Sequence, residues 1–133
     1  MFSNQVLHFT TEEAYHGLAA VSGMMRLGKN QLILEYQVKD ALVGMLKSEP
    51  KELVIPFENL VEVVYKLNWA VSRFKIQVNS MHILGKFPVG KEGVITLKIK
   101  RKQKQAAKEL ASSINLKLSE YRLEMMDHDD YLG

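Results

Sequence analysis

From Tyr15 to Leu27, apolar or small residues recur at every second position: Tyr15, Gly17, Ala19, Val21, Gly23, Met25 and Leu27. A period of two predicts a strand with one face buried. Gly28-Lys29-Asn30 is a turn signal. Leu32, Leu34, Tyr36 and Val38 then share one face of a second strand, with Glu35, Gln37 and Lys39 opposite, so the pair reads as a long hairpin. Gly17, Gly23 and Gly28 are expected to let the first strand bend. Ala41 to Leu46 reads as a short strand, Ser48-Glu49-Pro50-Lys51 as a turn, and Leu53 to Pro56 as a brief strand whose proline favours an edge or an end.

The alternation continues beyond a turn at Glu58-Asn59-Leu60. Val61, Val63, Tyr65 and Leu67 form one face of a strand. Asn68 to Val71 links it to Phe74, Ile76 and Val78. Met81 to Phe87, interrupted by Gly85, reads as a further strand-like segment. Pro88 to Gly93 is a loop. Ile95, Leu97 and Ile99 make a last strand with Thr96, Lys98 and Lys100 outward.

The period then changes. From Gln103 to about Met126 there is neither glycine nor proline, and apolar residues fall at Ala107, Leu110, Ala111, Ile114, Leu118, Tyr121 and Met125. That is helical spacing, and the stripe is expected to lie on the sheet. Leu116 and Leu123 fall off it, which leaves room for a second apolar contact. Residues 127–133 read as a short, frayed acidic tail. The sequence therefore predicts a single domain over residues 1–133. It is mostly β, with about seven strands over residues 14–100 in a partly open antiparallel barrel or sandwich. A long C-terminal helix over about 103–126 caps it.

Composition fits one globular domain: 133 residues, 47% hydrophobic and 25% charged. There is no cysteine, which excludes disulfides, thiolate metal sites and a cysteine nucleophile. No apolar run approaches the ~20 residues of a membrane span. Met1 to Thr10 lacks the pattern of a secretory signal. A cytoplasmic protein is expected, peripheral at the membrane if it meets lipid.

Charge sharpens the picture. The net charge is +3, but residues 51–105 carry eleven basic and four acidic groups, whereas residues 106–133 carry three basic and six acidic. The basic block peaks at Lys98, Lys100, Arg101, Lys102 and Lys104. Such a cluster attracts phosphate, anionic lipid or an acidic partner. Its plainer reading is a solvated strand end and helix start. If the strand ran on, Lys98, Lys100 and Lys102 would share one face, and the acidic tail of a neighbouring copy is one candidate to meet them. Trp69, in a predicted hairpin loop, is an anchor candidate for a partner or a membrane interface, unless it folds back onto the core. Met24, Met25, Met45 and Leu46 are either a soft apolar surface or core.

Catalytic patterns are absent from the sequence. There is no Walker-type loop, no G-x-G-x-x-G and no G-x-S-x-G. His8, His16, His82 and His128 show no metal-ligand spacing. His16 and His82 fall in strand-like segments. Asp127 to Asp130 could approach a cation, but as a solvated tail they lack the rigidity of a hard-metal site. Glu12-Glu13 are sequence neighbours rather than an acid/base dyad. No enzyme activity, cofactor, metal or small-molecule substrate is therefore expected. Aromatic and basic residues are not interleaved as a nucleic-acid stacking platform requires.

Two stretches carry a family resemblance. "LVIPFENLVEV", with Ile55, Pro56, Phe57 and Leu60, resembles the strand leading into an I-P-aromatic-x-x-I turn of the pleckstrin-homology-like fold. "GVITLKIKRKQKQAAKELASSI", with Ala107, Leu110, Ala111 and Ile114, resembles that fold's last strand and capping helix. The likeness covers residues 53–118 best and extends to the small bacterial and GRAM domains. It implies a binding module that meets lipid headgroups, peptides or proteins, or that self-associates. Relatives that hold phosphoinositides place several basic residues around the first hairpin turn, whereas here that turn has only Arg26 and Lys29. The two readings that follow are a protein-interaction or self-associating module, and a peripheral binder of anionic membrane through residues 98–104.

Overall fold

A computed structural model describes residues 6–11, 19–40, 49–85, 87 and 91–132, the side chains of residues 40 and 128–132 excepted. Among the described residues, seven antiparallel strands form one open sheet: β1 (Leu7–Thr10), β2 (Ala19–Gly28), β3 (Gln31–Asp40), β4 (Lys51–Pro56), β5 (Leu60–Lys66), β6 (Ser72–Val78) and β7 (Val94–Ile99). Their spatial order is β4-β3-β2-β1-β7-β6-β5. A helix, α1 (Lys104–Leu132), follows the last strand. β4 and β5 are the two sheet edges, yet only the 3-10 turn Phe57–Asn59 separates them in the chain. A sheet whose edges are joined by three residues has to curl, and the curl makes an inside.

That inside is filled by the alternation predicted from the sequence. Val21, Met25, Leu32, Leu34, Ile55, Phe74, Ile76, Ile95 and Leu97 are all fully buried. Ala107, Leu110, Ile114 and Leu118 of α1 join the same core. Phe57 packs its ring edge-on against Tyr121, with centroids 5.8 Å apart. The Ile55-Pro56-Phe57 stretch is thus a hinge between sheet edges, and the helix lies on it. At Gly23 the β2 and β3 backbones come so close that an added Cβ would stand 2.0 Å from the Glu35 carbonyl oxygen. The glycine there serves close approach, and β2 pairs with β3 without a register break from Ala19 to Gly28.

Several expectations need correction. The first strand is not at residue 14 but at Leu7, a four-residue β1 too short to stand out as a period. Met81–Leu84 is a 3-10 turn, not a strand, so His82 is an exposed turn residue. With β1, the described residues hold seven strands. α1 does not stop at Met126 but runs to Leu132, because nothing before Gly133 interrupts helical backbone. Met125 does not join the buried stripe: it is 44% exposed, since the helix has by then passed the sheet. β7 ends at Ile99, so Lys102 sits in the 3-10 turn Arg101–Gln103 rather than on a strand. Gly17, His16, Glu12, Glu13, Ala41 to Leu46 and Pro88 to Gly90 lie outside the described residues.

Two side-chain amides finish the sheet where backbone partners run out. β1 pairs with β7 at a single position, Thr10 with Lys98. Beyond it, Gln103 takes the place of a strand: its Oε1 accepts from the His8 N–H and its Nε2 donates to the His8 carbonyl, both at 3.1 Å. On the β5 edge, Asn115 of α1 does the same for both main-chain groups of Val63. Unpaired backbone polar groups are costly where water is scarce; the 3-10 turn supplies the partners at His8 and the helix those at Val63.

Candidate binding groove

The single pairing between β1 and β7 lets the outer face of the sheet part there. The parting is a groove of about 930 Å³. Its floor and near wall are His8, Thr10, Ser22, Met24 and Gln37 from β1, β2 and β3. Its far wall is Lys98 of β7, Lys100, and the 3-10 turn Arg101–Gln103. Ala70 and Val71, from the loop between β5 and β6, complete the described lining. Phe9 and Ile99 also touch the groove although their side chains are buried in the core, as are those of Val21 and Leu97, while His8, Thr10 and Met24 between them are exposed.

Four of the five predicted cations converge here. Lys98, Lys100, Arg101 and Lys102 all line the groove, although only Lys98 is on a strand. Lys102 lines the groove from the 3-10 turn rather than from a strand. Lys104 is exposed on the first helical turn and is not part of the lining. No Asp or Glu lies among the described lining residues. Like charge along one side of the groove makes a positive field that reaches a partner before contact.

Trp69 stands at the rim and is 84% exposed. It does not fold back onto the core. Its backbone is nevertheless held from both sides: Asn68 Oδ1 accepts from the Trp69 N–H at 2.9 Å, and the Arg101 guanidinium donates to the Trp69 carbonyl. Leu67, two residues earlier, is 43% exposed. An apolar tip on a tethered loop beside four cations resembles an interaction anchor, because the entropy of ordering the loop is already spent. Of the methionines, Met25 is core and Met24 lines the groove at 39% exposure. Met45 and Leu46 lie outside the described residues.

Chemically the groove offers ammonium, guanidinium, hydroxyl and amide donors, and no described carboxylate. That set suits an anion. Among the described residues, no group of three His, Asp or Glu converges to hold a metal ion, and no helix is long and apolar enough to cross a membrane.

His8, Thr10, Ser22, Gln37 and Gln103 were not predicted as part of a site. They meet only because β1 pairs with β2 and β7, which joins residues 95 apart in the chain. No local pattern carries that information.

No protein-family model, curated protein or solved structure matches the chain.

Proposed function

We propose that the chain is a non-catalytic binding module of pleckstrin-homology-like type, acting through the basic groove on an acidic protein surface. The observation that carries the reading is the convergence of Lys98, Lys100, Arg101 and Lys102 on one groove whose described lining holds carbonyl, hydroxyl, amide and cationic groups. Donors of this kind bind carboxylates by charge-assisted hydrogen bonds. The buried Ile55, Phe57 and Leu60 hinge and the C-terminal capping helix support the family assignment. In this reading the protein works in the cytoplasm as an interaction or self-association module.

A second reading is favoured by a separate observation. The exposed Leu67 and Trp69 tip beside the cations suits the interface of an anionic membrane, where tryptophan is enriched. Each lysine near such a surface adds about 1 kcal/mol.

The test compares wild type with Lys98→Gln/Lys100→Gln/Lys102→Gln against two probes: poly-glutamate, and phosphatidylcholine vesicles with or without phosphatidylserine. Salt-sensitive binding of poly-glutamate, lost in the variant, supports the protein reading. Sedimentation with phosphatidylserine vesicles alone moves the assignment to membrane. Binding of neither probe overturns both.

A further inference from the structure

We infer that the occupant of the groove is the acidic end of α1 from a second copy of this chain. The inference rests on the groove taking acidic protein surfaces, as proposed above.

The chain carries both halves of the contact. From Leu118 to Leu132, α1 has five acids (Glu120, Glu124, Asp127, Asp129 and Asp130) and one base, Arg122. That base is engaged: its guanidinium donates to the Leu60 and Val61 carbonyls at 3.1 and 2.7 Å. The last buried side chain described in the helix is Leu118. Beyond Tyr121, every described side chain through Asp127 is exposed, including Leu123, Met125 and Met126 at 60%, 44% and 60%. A helix end that leaves its own domain with exposed leucine and methionine is not sustained by intrinsic propensity alone.

The helix dipole points the same way. Acids stabilise a helix start and bases its end. Here the first turn holds no acid and the last turn no base. Lys104 instead sits at the start and Asp129 and Asp130 at the end. Both termini therefore carry charge of the sign their own dipole disfavours. Bringing the acidic end of one copy to the basic start of another relieves both.

The acidic end of α1 cannot reach the groove of its own copy. α1 begins at the groove wall, next to Gln103, and Asp127 is 24 residues further on, about 36 Å along the axis at 1.5 Å per residue. Only a second copy can deliver it. Two copies laid antiparallel do so reciprocally, which closes the assembly as a dimer. Residue 115 is midway between Gln103 and Asp127, so the neighbouring Leu116, 56% exposed, falls beside the twofold axis. In the groove, Leu123 and Met126 have Met24, Ala70 and Val71 to pack against.

Charge reversal tests this. One variant reverses the groove (Lys98→Glu/Lys100→Glu/Lys102→Glu) and another the helix end (Glu124→Lys/Asp127→Lys). Sedimentation velocity should show wild type as a dimer that weakens at least about tenfold as salt shortens the Debye length from roughly 14 to 4 Å. Each variant alone should be monomeric, and an equimolar mixture should dimerise, since each groove then meets a complementary helix end. A monomeric wild type at all concentrations, or a helix-end variant that dimerises as well as wild type, overturns the inference. Poly-glutamate binding by the same wild-type sample reports separately on the groove, so loss of the dimer with retained probe binding leaves the first reading standing. Circular dichroism of each variant shows that its fold is intact.

Discussion

Asn115 and Val63 are joined by two hydrogen bonds: Asn115 Nδ2 donates to the Val63 carbonyl at 2.9 Å, and the Val63 N–H donates to Asn115 Oδ1 at 3.3 Å. A side-chain amide on the helix occupies the place of an eighth strand against the β5 edge. Both bonds are partly buried. The helix is thereby fixed in rotation as well as position, because only one of its residues per turn can meet that edge.

Asn115→Ala removes both partners and leaves an N–H and a carbonyl under the helix. Such a loss costs about 1–3 kcal/mol. Urea denaturation followed by circular dichroism should show the lower midpoint. Asn115→Asp keeps an acceptor but sets a carboxylate against the Val63 carbonyl, and should cost at least as much. A midpoint within error of wild type for both variants contradicts the edge-closing role.

Leu118 and Leu123 are five residues apart and have opposite fates. Leu118 is 2% exposed and Leu123 is 60% exposed. Leu118→Ala should destabilise by about 2–5 kcal/mol. Leu123→Ala should change the stability of the isolated domain by no more than about 0.5 kcal/mol. Equal effects in thermal denaturation of dilute protein would contradict the placement of the helix.

Gly23→Ala forces a methyl group against the β3 backbone at Glu35 and Tyr36. Neither strand can yield without breaking the ladder between them. Overpacking of this kind costs about 1–3 kcal/mol. The change should appear as a lower denaturation midpoint, with loss of amide protection concentrated in β2 and β3. Unchanged protection there would contradict the strand contact.

These positions also show how far local pattern reaches. Strands β2, β3, β6 and β7 were legible because one buried face imposes a period of two on 6 to 10 residues. β5 was legible as a strand, but a register shift between Leu60 and Glu62 breaks the expected Val61, Val63, Tyr65 and Leu67 face, burying Leu60 and Val63 and leaving Leu67 43% exposed beyond the strand. The stripe from Ala107 to Leu118 was legible for the same reason at helical period. β1 was not, since Leu7 and Phe9 are its only inward residues. Met81–Leu84 misled because a 3-10 turn that buries Leu84 can carry a strand-like run of apolar residues. The far end of α1 misled because an acidic, partly apolar run gives no stop signal. At the site, the cations and Trp69 were visible as residue types. Their convergence was not, because it depends on β1 reaching β7 and on the 3-10 turn that carries Lys102.

Arg101 ties the Trp69 loop to the groove wall through the Trp69 carbonyl. Arg101→Ala should leave the fold intact and loosen the loop. Time-resolved fluorescence anisotropy should then show a faster local decay of the indole. An unchanged decay contradicts the tether.

Trp69 is also the only tryptophan in the chain, so intrinsic fluorescence reads the groove rim without a label. The most direct test of the groove as the working surface is a titration of dilute wild-type protein with poly-glutamate, following Trp69 emission at low and at physiological salt. The account predicts a saturable blue shift or intensity change that weakens with salt and is absent in Lys98→Gln/Lys100→Gln/Lys102→Gln. A spectrum that stays constant for wild type, or that changes equally in the lysine variant, contradicts it.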